Sequence, residues 1–391
     1  MAHLRKNGPW MVATMIVITM LSLPVMAAEP LTVGVVHREG FAYAAMMRTA
    51  FEMAREEINA ADGIQGRPLA LVYADDKGDV KAGERAIRNL VQEQGAVMLV
   101  GGYSSSNTLS MAYAANRLDI PFLVCTAADD RITQHNLKNI YRLNPPVSEY
   151  TKGLEEFLLE RVLPESMSII YENSPFGTGS AMRMMWFCRE NDILIKAIQP
   201  YFKKGATPDY LGRMLMPIKK DPPQVLFMAA YLKDAVMLVN KVRELEIDAL
   251  LCGGAGGFTH DDFSRRTGNA SEHLLTATLW SPSAKDALSQ AFGQRFAKRH
   301  GTGPDYHAAE AYSALLVTAE ALRQSRSLAP ADIRTALDAT TMKTPFGEVA
   351  FSDYGSFRRQ NVSQPQVFQI INGRFETVWP QRLATQAYIQ P

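Results

Sequence analysis

Residues 31–36 read Leu-Thr-Val-Gly-Val-Val, and residues 57–69 read Glu-Ile-Asn-Ala-Ala-Asp-Gly-Ile-Gln-Gly-Arg-Pro-Leu. The first run is short, apolar and β-branched, as expected of a strand buried on both faces. Between the two lie Met47, Phe51, Ala54 and Ile58, at spacings that put all four on one face of a helix. Asn59 to Gly63 stops that helix, and Leu69 to Ala74 begins a second apolar run. The unit then recurs. A helix carrying Ala86, Ile87, Leu90 and Val91 leads to Ala96–Val100, and a helix from about Ser106 leads to Ile120–Cys125. Strands that alternate with helices predict a parallel sheet covered on both faces.

After Leu143-Asn144-Pro145-Pro146 the alternation restarts. Helices are predicted over 148–161, 179–190, 209–219 and 232–245, and strands over 167–171, 193–199, 225–229 and 249–252. This makes a second doubly wound lobe. The helical stretches 284–299 and 306–323, and a short helix after Pro330, return to complete the first. Near the end, 366–371 and 374–379 flank Asn372-Gly373, the signature of a tight hairpin.

The chain has 391 residues, 47% of them hydrophobic and 21% charged, enough for two or three domains with ordinary cores. Lys+Arg minus Asp+Glu is 41 − 40 = +1, so no basic field points to nucleic acid. His3, Arg5 and Lys6, the apolar run from Trp10 to Leu23 and the small residues Ala27 and Ala28 predict an export signal over 1–28, cleaved near Ala27 or Ala28. The mature chain would carry 39 − 40 = −1. Three cysteines, Cys125, Cys188 and Cys252, leave at least one unpaired, and Cys125 and Cys252 end apolar runs like buried core residues. No CxxC, HExxH, nucleophile elbow or complete phosphate loop is present, so neither a metal, a cofactor nor an enzyme is expected.

Ligands of open α/β sheets sit where strands end and helices begin. Gly101-Gly102-Tyr103-Ser104-Ser105-Ser106 is such a junction, able to hold a carboxylate on backbone N–H groups and hydroxyls, or simply to cap a helix. Thr126-Ala127-Ala128-Asp129-Asp130-Arg131 follows another strand and reads equally as a site or a solvated loop. Ser174-Pro175-Phe176-Gly177-Thr178-Gly179 lacks the third glycine and acidic partner of a dinucleotide loop. Gly253-Gly254-Ala255-Gly256-Gly257 allows a close backbone approach.

Taken in order, Glu57–Leu69, Asp75-Asp76, the serine loop, Ile120-Pro121 with Thr126-Ala127-Ala128, Tyr171 through Phe176-Gly177, and Ala311-Tyr312-Ser313-Ala314 resemble the type I periplasmic solute-binding proteins of ABC importers, in the group of leucine/isoleucine/valine-binding proteins. The resemblance covers nearly all of residues 29–391. It implies two lobes, 29–144 with 281–344 and 145–280 with 345–391, joined by three hinge crossings near Asn144, Trp280 and Thr344. It implies a monomer in the periplasm that closes over a small molecule and delivers it to the membrane subunits of an ABC permease. A ligand-sensing subunit for a receptor or regulator is the alternative.

By position, the resemblance assigns the carboxylate grip to Ser105, with Tyr103 and Ser104 in the same loop, and a second contact to Ala127, Ala128 and Asp129. Tyr43, Phe176 and Tyr231 fall on cleft aromatics. His307 lies near another and reads as a packed helical residue. Where amino-acid binders of the family place a glutamate for the ligand ammonium, this chain has Ala255. Either Asp129 supplies that charge from the other side, or the ligand has no ammonium and is an organic or aromatic acid or an amide. A desolvated ammonium with no anion would be costly.

Overall fold

The computed structural model describes Met1 and residues 29–391 except Ala42, Ser283, Ala284 and Gln364, so the expected export segment lies outside the described residues apart from Met1. From the amino end, β1 (Leu31–His37), α1 (Ala44–Ala60), β2 (Leu69–Asp75), α2 (Val80–Gln92), β3 (Met98–Gly101), α3 (Ser105–Arg117), β4 (Phe122–Val124), α4 (Arg131–Gln134) and β5 (Ile140–Arg142) build the first lobe. The second follows with α5 (Lys152–Phe157), β6 (Ser166–Glu172), α6 (Pro175–Glu190), β7 (Leu194–Tyr201), α7 (Pro208–Lys220), β8 (Val225–Ala229), α8 (Leu232–Glu244), β9 (Leu250–Gly253), α9 (Asp261–Thr267) and β10 (Leu275–Thr278). The chain returns through α10 (Ala287–His300), α11 (Tyr306–Gln324), α12 (Pro330–Ala339), β11 (Thr341–Thr344), β12 (Gly347–Tyr354) and β13 (Phe357–Asn361), and ends in β14 (Gln366–Ile371) and β15 (Arg374–Trp379).

One sheet runs β11-β12-β13-β5-β4-β3-β1-β2 and the other β15-β14-β10-β9-β8-β6-β7. β1 through β5 pair in parallel, as do β6 through β10, which is why inner strands such as β3, β8 and β9 are continuous apolar runs. The two doubly wound α/β lobes are therefore those expected. The hairpin at Asn372-Gly373 also forms, both residues taking the positive φ values of a two-residue turn.

The third crossing needs correcting. Residues 345–361 do not enter the second lobe, because β12 pairs with β13 and Gln360 of β13 pairs with Arg142 of β5. The chain crosses only after Asn361, in the short link to β14. β11 to β13 are largely polar in sequence, β13 reading Phe-Arg-Arg-Gln-Asn, so they lack the apolar run that marks the inner strands.

The first and third crossings are fastened by Arg142, which is completely buried. Its guanidinium donates to Gln360 Oε1 (2.7 Å), the Asp129 carbonyl (2.7 Å) and Thr133 Oγ1 (2.9 Å). Gln360 Nε2 then donates to the Asn144 carbonyl (2.8 Å), and Asn361 Nδ2 to that of Leu143 (3.0 Å). Burial pushes the Arg142 pKa down to about 10, against the pull of nearby Asp130. Gly153 sits beneath the third crossing, where a Cβ would lie 2.6 Å from the Pro365 carbonyl oxygen.

Candidate functional site

The carboxyl ends of both sheets face each other, and the loops leaving them meet in a narrow cavity. Tyr103, Ser105, Thr126, Ala128, Tyr306 and His307 line it from the first lobe, with Tyr150 at the first crossing and Phe176, Tyr231 and Gly256 from the second. The lobes touch across it: Tyr43 Oη donates to the Gly256 carbonyl (3.0 Å), and the rings of Tyr103 and Tyr231 lie 6.0 Å apart. This is a closed arrangement.

Ser105 opens α3, whose first-turn N–H groups and dipole make that end an anion-holding terminus. The capping alternative does not apply. Ser104 occupies the N-cap position without bonding a backbone N–H, its hydroxyl facing that of Ser106 at 3.4 Å. Ser105 Oγ, nearly buried, accepts a long 3.4 Å bond from the Ala128 amide and so ties the two loops together. Thr126 Oγ1 donates to the Gly102 carbonyl at 2.7 Å, which fixes the base of the serine loop.

The walls are aromatic. Phe176 and Tyr231 are 5.4 Å apart and Tyr150 and Phe176 6.1 Å apart, while Tyr43 and Tyr306 both stack on His307, at 3.9 Å and 4.0 Å. Gly256 has φ +57°, and a Cβ there would come within 2.9 Å of the Phe176 ring, so only glycine lets that backbone line the cavity. His307 Nδ1 donates to Asp305 Oδ2 (2.9 Å), and Asp305 also caps α11 by accepting from the amides of His307 and Ala308. Burial would raise the Asp305 pKa; the charge and hydrogen bond of His307 outweigh it and hold the carboxyl below its usual range.

Of the residues expected at the site, Tyr103, Ser105, Ala128, Phe176 and Tyr231 line one cavity, and Tyr43 stands directly behind it. Ser104, Ala127, Asp129 and Ala255 do not line it. Ala127 packs into the core of the first lobe. Asp129 turns onto Arg131, accepting its amide (3.0 Å), Nε (3.0 Å) and a terminal guanidinium nitrogen (2.7 Å). Ala255 is buried with φ +59°, a conformation that strains a non-glycine residue, and it passes the cavity contact to Gly256. The wall residues Tyr150 and Tyr306 were not singled out by the sequence, nor was His307 as more than a packed residue. A helical face of aromatics reads as core until its partner lobe is in place. Among the described residues, no carboxylate, lysine or arginine lines the cavity. Cys125, Cys188 and Cys252 are all buried and unpaired.

A family profile described as periplasmic binding protein matches residues 31–374. The chain is similar to Leu/Ile/Val-binding protein homolog 7 of Brucella melitensis, 24% identical over an alignment of 352 residues, with 85% of this chain and 86% of that protein covered. Its fold is similar to the branched-chain amino acid transporter substrate-binding protein LivJ of Streptococcus pneumoniae, solved with isoleucine (TM-score 0.79, 20% identity, covering 90% of this chain and all of that one). It is equally similar to an ABC transporter solute-binding protein of R. palustris solved with benzoate (TM-score 0.79, 15% identity, covering 89% and 95%).

Proposed function

The chain belongs to the periplasmic binding protein family, in its leucine/isoleucine/valine-binding-protein-like group, and from that premise we propose that it captures a small carboxylate-bearing solute by lobe closure and delivers it to an ABC permease. One observation carries the choice of ligand. The cavity offers hydroxyls, a helix N-terminus and an imidazole to an anion, and five aromatic rings to a flat or apolar body, but no side-chain carboxylate to an ammonium. A zwitterionic amino acid would leave its ammonium desolvated without an anion, at a cost of several kcal/mol. An aromatic or other organic acid has no such group. The fold supports both kinds of ligand, since one structural neighbour holds isoleucine and another benzoate.

In this reading the carboxylate settles on the α3 terminus and Ser105, the ring lies between Tyr103, Tyr150 and Tyr306, and Phe176 and Tyr231 close over it. Closure then shifts an equilibrium between open and closed lobes, with chemistry nowhere required. Export through residues 1–28 would put the protein where such a ligand is met. The test is a thermal-shift screen of the mature protein with benzoate, hydroxybenzoates, leucine and acetamide. An aromatic acid should raise the midpoint more than leucine does, and Ser105→Ala should weaken its binding by about 10-fold or more, the loss of a charge-assisted hydrogen bond. Leucine as the strongest stabiliser, or full affinity in Ser105→Ala, would overturn the assignment.

A further inference from the structure

α11 is alanine-rich, and most of its length is buried in the first lobe. In the middle of its buried face stands Glu310, with no accessible surface at all. Neither carboxyl oxygen has a hydrogen-bond partner among the described residues. This is an expensive residue at that position. Even in its neutral form a buried carboxyl that makes no hydrogen bond is penalised by its lost hydration, and the flanking Ala308, Ala309 and Ala311 show how readily the helix accepts a small apolar side chain.

Its neighbourhood is the floor of the cleft. Tyr306 and His307, one helical turn earlier on the same face, both line the cavity. The Glu310 charge acts on the hydroxyls of Tyr150 and Tyr306, both cavity walls, and on the thiol of Cys125, whose next residue Thr126 is a third wall. Burial, then the nearby Asp305 charge, push the Glu310 pKa well above the usual carboxylate range. The cavity thus has a polar end at Ser105, and outside its lining, next to the wall residues Tyr150 and Tyr306, lies a carboxyl with both oxygens unused.

We propose that Glu310 is a specificity-determining residue of the cleft, receiving a hydroxyl donor of a ligand whose carboxylate is held at Ser105. This rests on the carboxylate-binding reading above and narrows it to acids that carry such a donor, a hydroxy-substituted aromatic acid being the simplest. An unsubstituted acid would leave Glu310 unpaired, and discrimination by a buried polar group exceeds what apolar fit supplies.

Calorimetry with benzoate, 3-hydroxybenzoate and 4-hydroxybenzoate on the wild-type protein and on Glu310→Met tests this. The wild type should bind one hydroxybenzoate at least about 10-fold tighter than benzoate. Glu310→Met should lose that preference and keep its benzoate affinity within about twofold. Equal wild-type affinities, or a preference that survives the substitution, would overturn the proposal. A separate readout needs no ligand: the thermal midpoint of ligand-free Glu310→Met should equal or exceed that of the wild type, because nothing in the fold uses the carboxyl. A fall of several degrees would show a structural role and overturn it too. Benzoate binding that depends on Ser105 but not on Glu310 would leave the cleft reading intact and remove only this inference. If the wild type binds none of the three acids, the carboxylate reading fails, and the midpoint alone decides the role of Glu310.

Discussion

Tyr43→Phe removes one atom, and that atom makes a hydrogen bond between the lobes. Tyr43 Oη donates to the Gly256 carbonyl at 3.0 Å inside a fully buried contact. The ring itself stays, with its 3.9 Å stack on His307 and its 4.9 Å edge contact with His260. The carbonyl is not orphaned either, since Thr259 Oγ1 also donates to it at 3.1 Å. The loss is therefore that of a neutral hydrogen bond without an unsatisfied partner, about 0.5–1 kcal/mol, which shifts the ratio of closed to open molecules about 2–5-fold. Only the closed state is affected, because in an open cleft the hydroxyl is hydrated. The assay is an inter-lobe distance distribution between labels on introduced cysteines at Ser106 and Lys233, both exposed, one in each lobe. The native thiols are buried and their pKa values pushed up, so they do not compete for label. The closed population should fall while the thermal midpoint hardly moves. An unchanged distribution would refute the role of this contact in closure, and a midpoint lower by many degrees would show that the hydroxyl supports the fold instead.

Further outcomes follow from the hinge and the second lobe. Arg142→Met should lower stability by about 2–4 kcal/mol, because three hydrogen bonds from a buried guanidinium are lost, although the Asp129 carbonyl keeps its bond from the Ile132 amide; chemical denaturation measures it, and a loss under 0.5 kcal/mol would show that Gln360 alone fastens the crossings. Gly153→Ala forces a Cβ against the Pro365 carbonyl oxygen and should cost about 1–3 kcal/mol; an unchanged midpoint would mean the crossing yields freely. Glu172 is buried at the end of β6, and burial first, then Asp234, raise its pKa to about 7 despite Lys203. A carboxyl that holds its proton more tightly when folded loses stability as pH rises from its unfolded value, near 4.5, through 7, by about 3 kcal/mol at most. Glu172→Gln should flatten that part of the stability profile between pH 5 and 8, and an unchanged slope would exclude Glu172 as its source.

The inner strands were legible because burial on both faces demands uninterrupted apolar runs: 31–36, 225–229 and 249–252 fall on β1, β8 and β9 within a residue at each end. β5, with three residues, and β10, reading Leu-Thr-Ala-Thr, are too short to stand out. β11 to β13 went unseen because their sequences are mostly polar, with no apolar run to mark a strand, which misplaced the third crossing. At the site, hydroxyls directly after a strand marked Ser105. The fate of Asp129 was decided by Arg131, two residues on, whose side chain could as well have pointed to solvent. Tyr150, Tyr306 and Glu310 carry no local signal, since each gains meaning only when the two lobes stand face to face.

The central claim is that the lobes close over a carboxylate-bearing solute held at Ser105. The most direct measurement is the distance between labels at 106 and 233 during titration with benzoate or the hydroxybenzoate that binds tighter. A saturable shortening is predicted, with a midpoint equal to the calorimetric Kd and displaced about 10-fold or more to higher concentration in Ser105→Ala. A solute that binds by calorimetry yet leaves the distance unchanged would contradict the account.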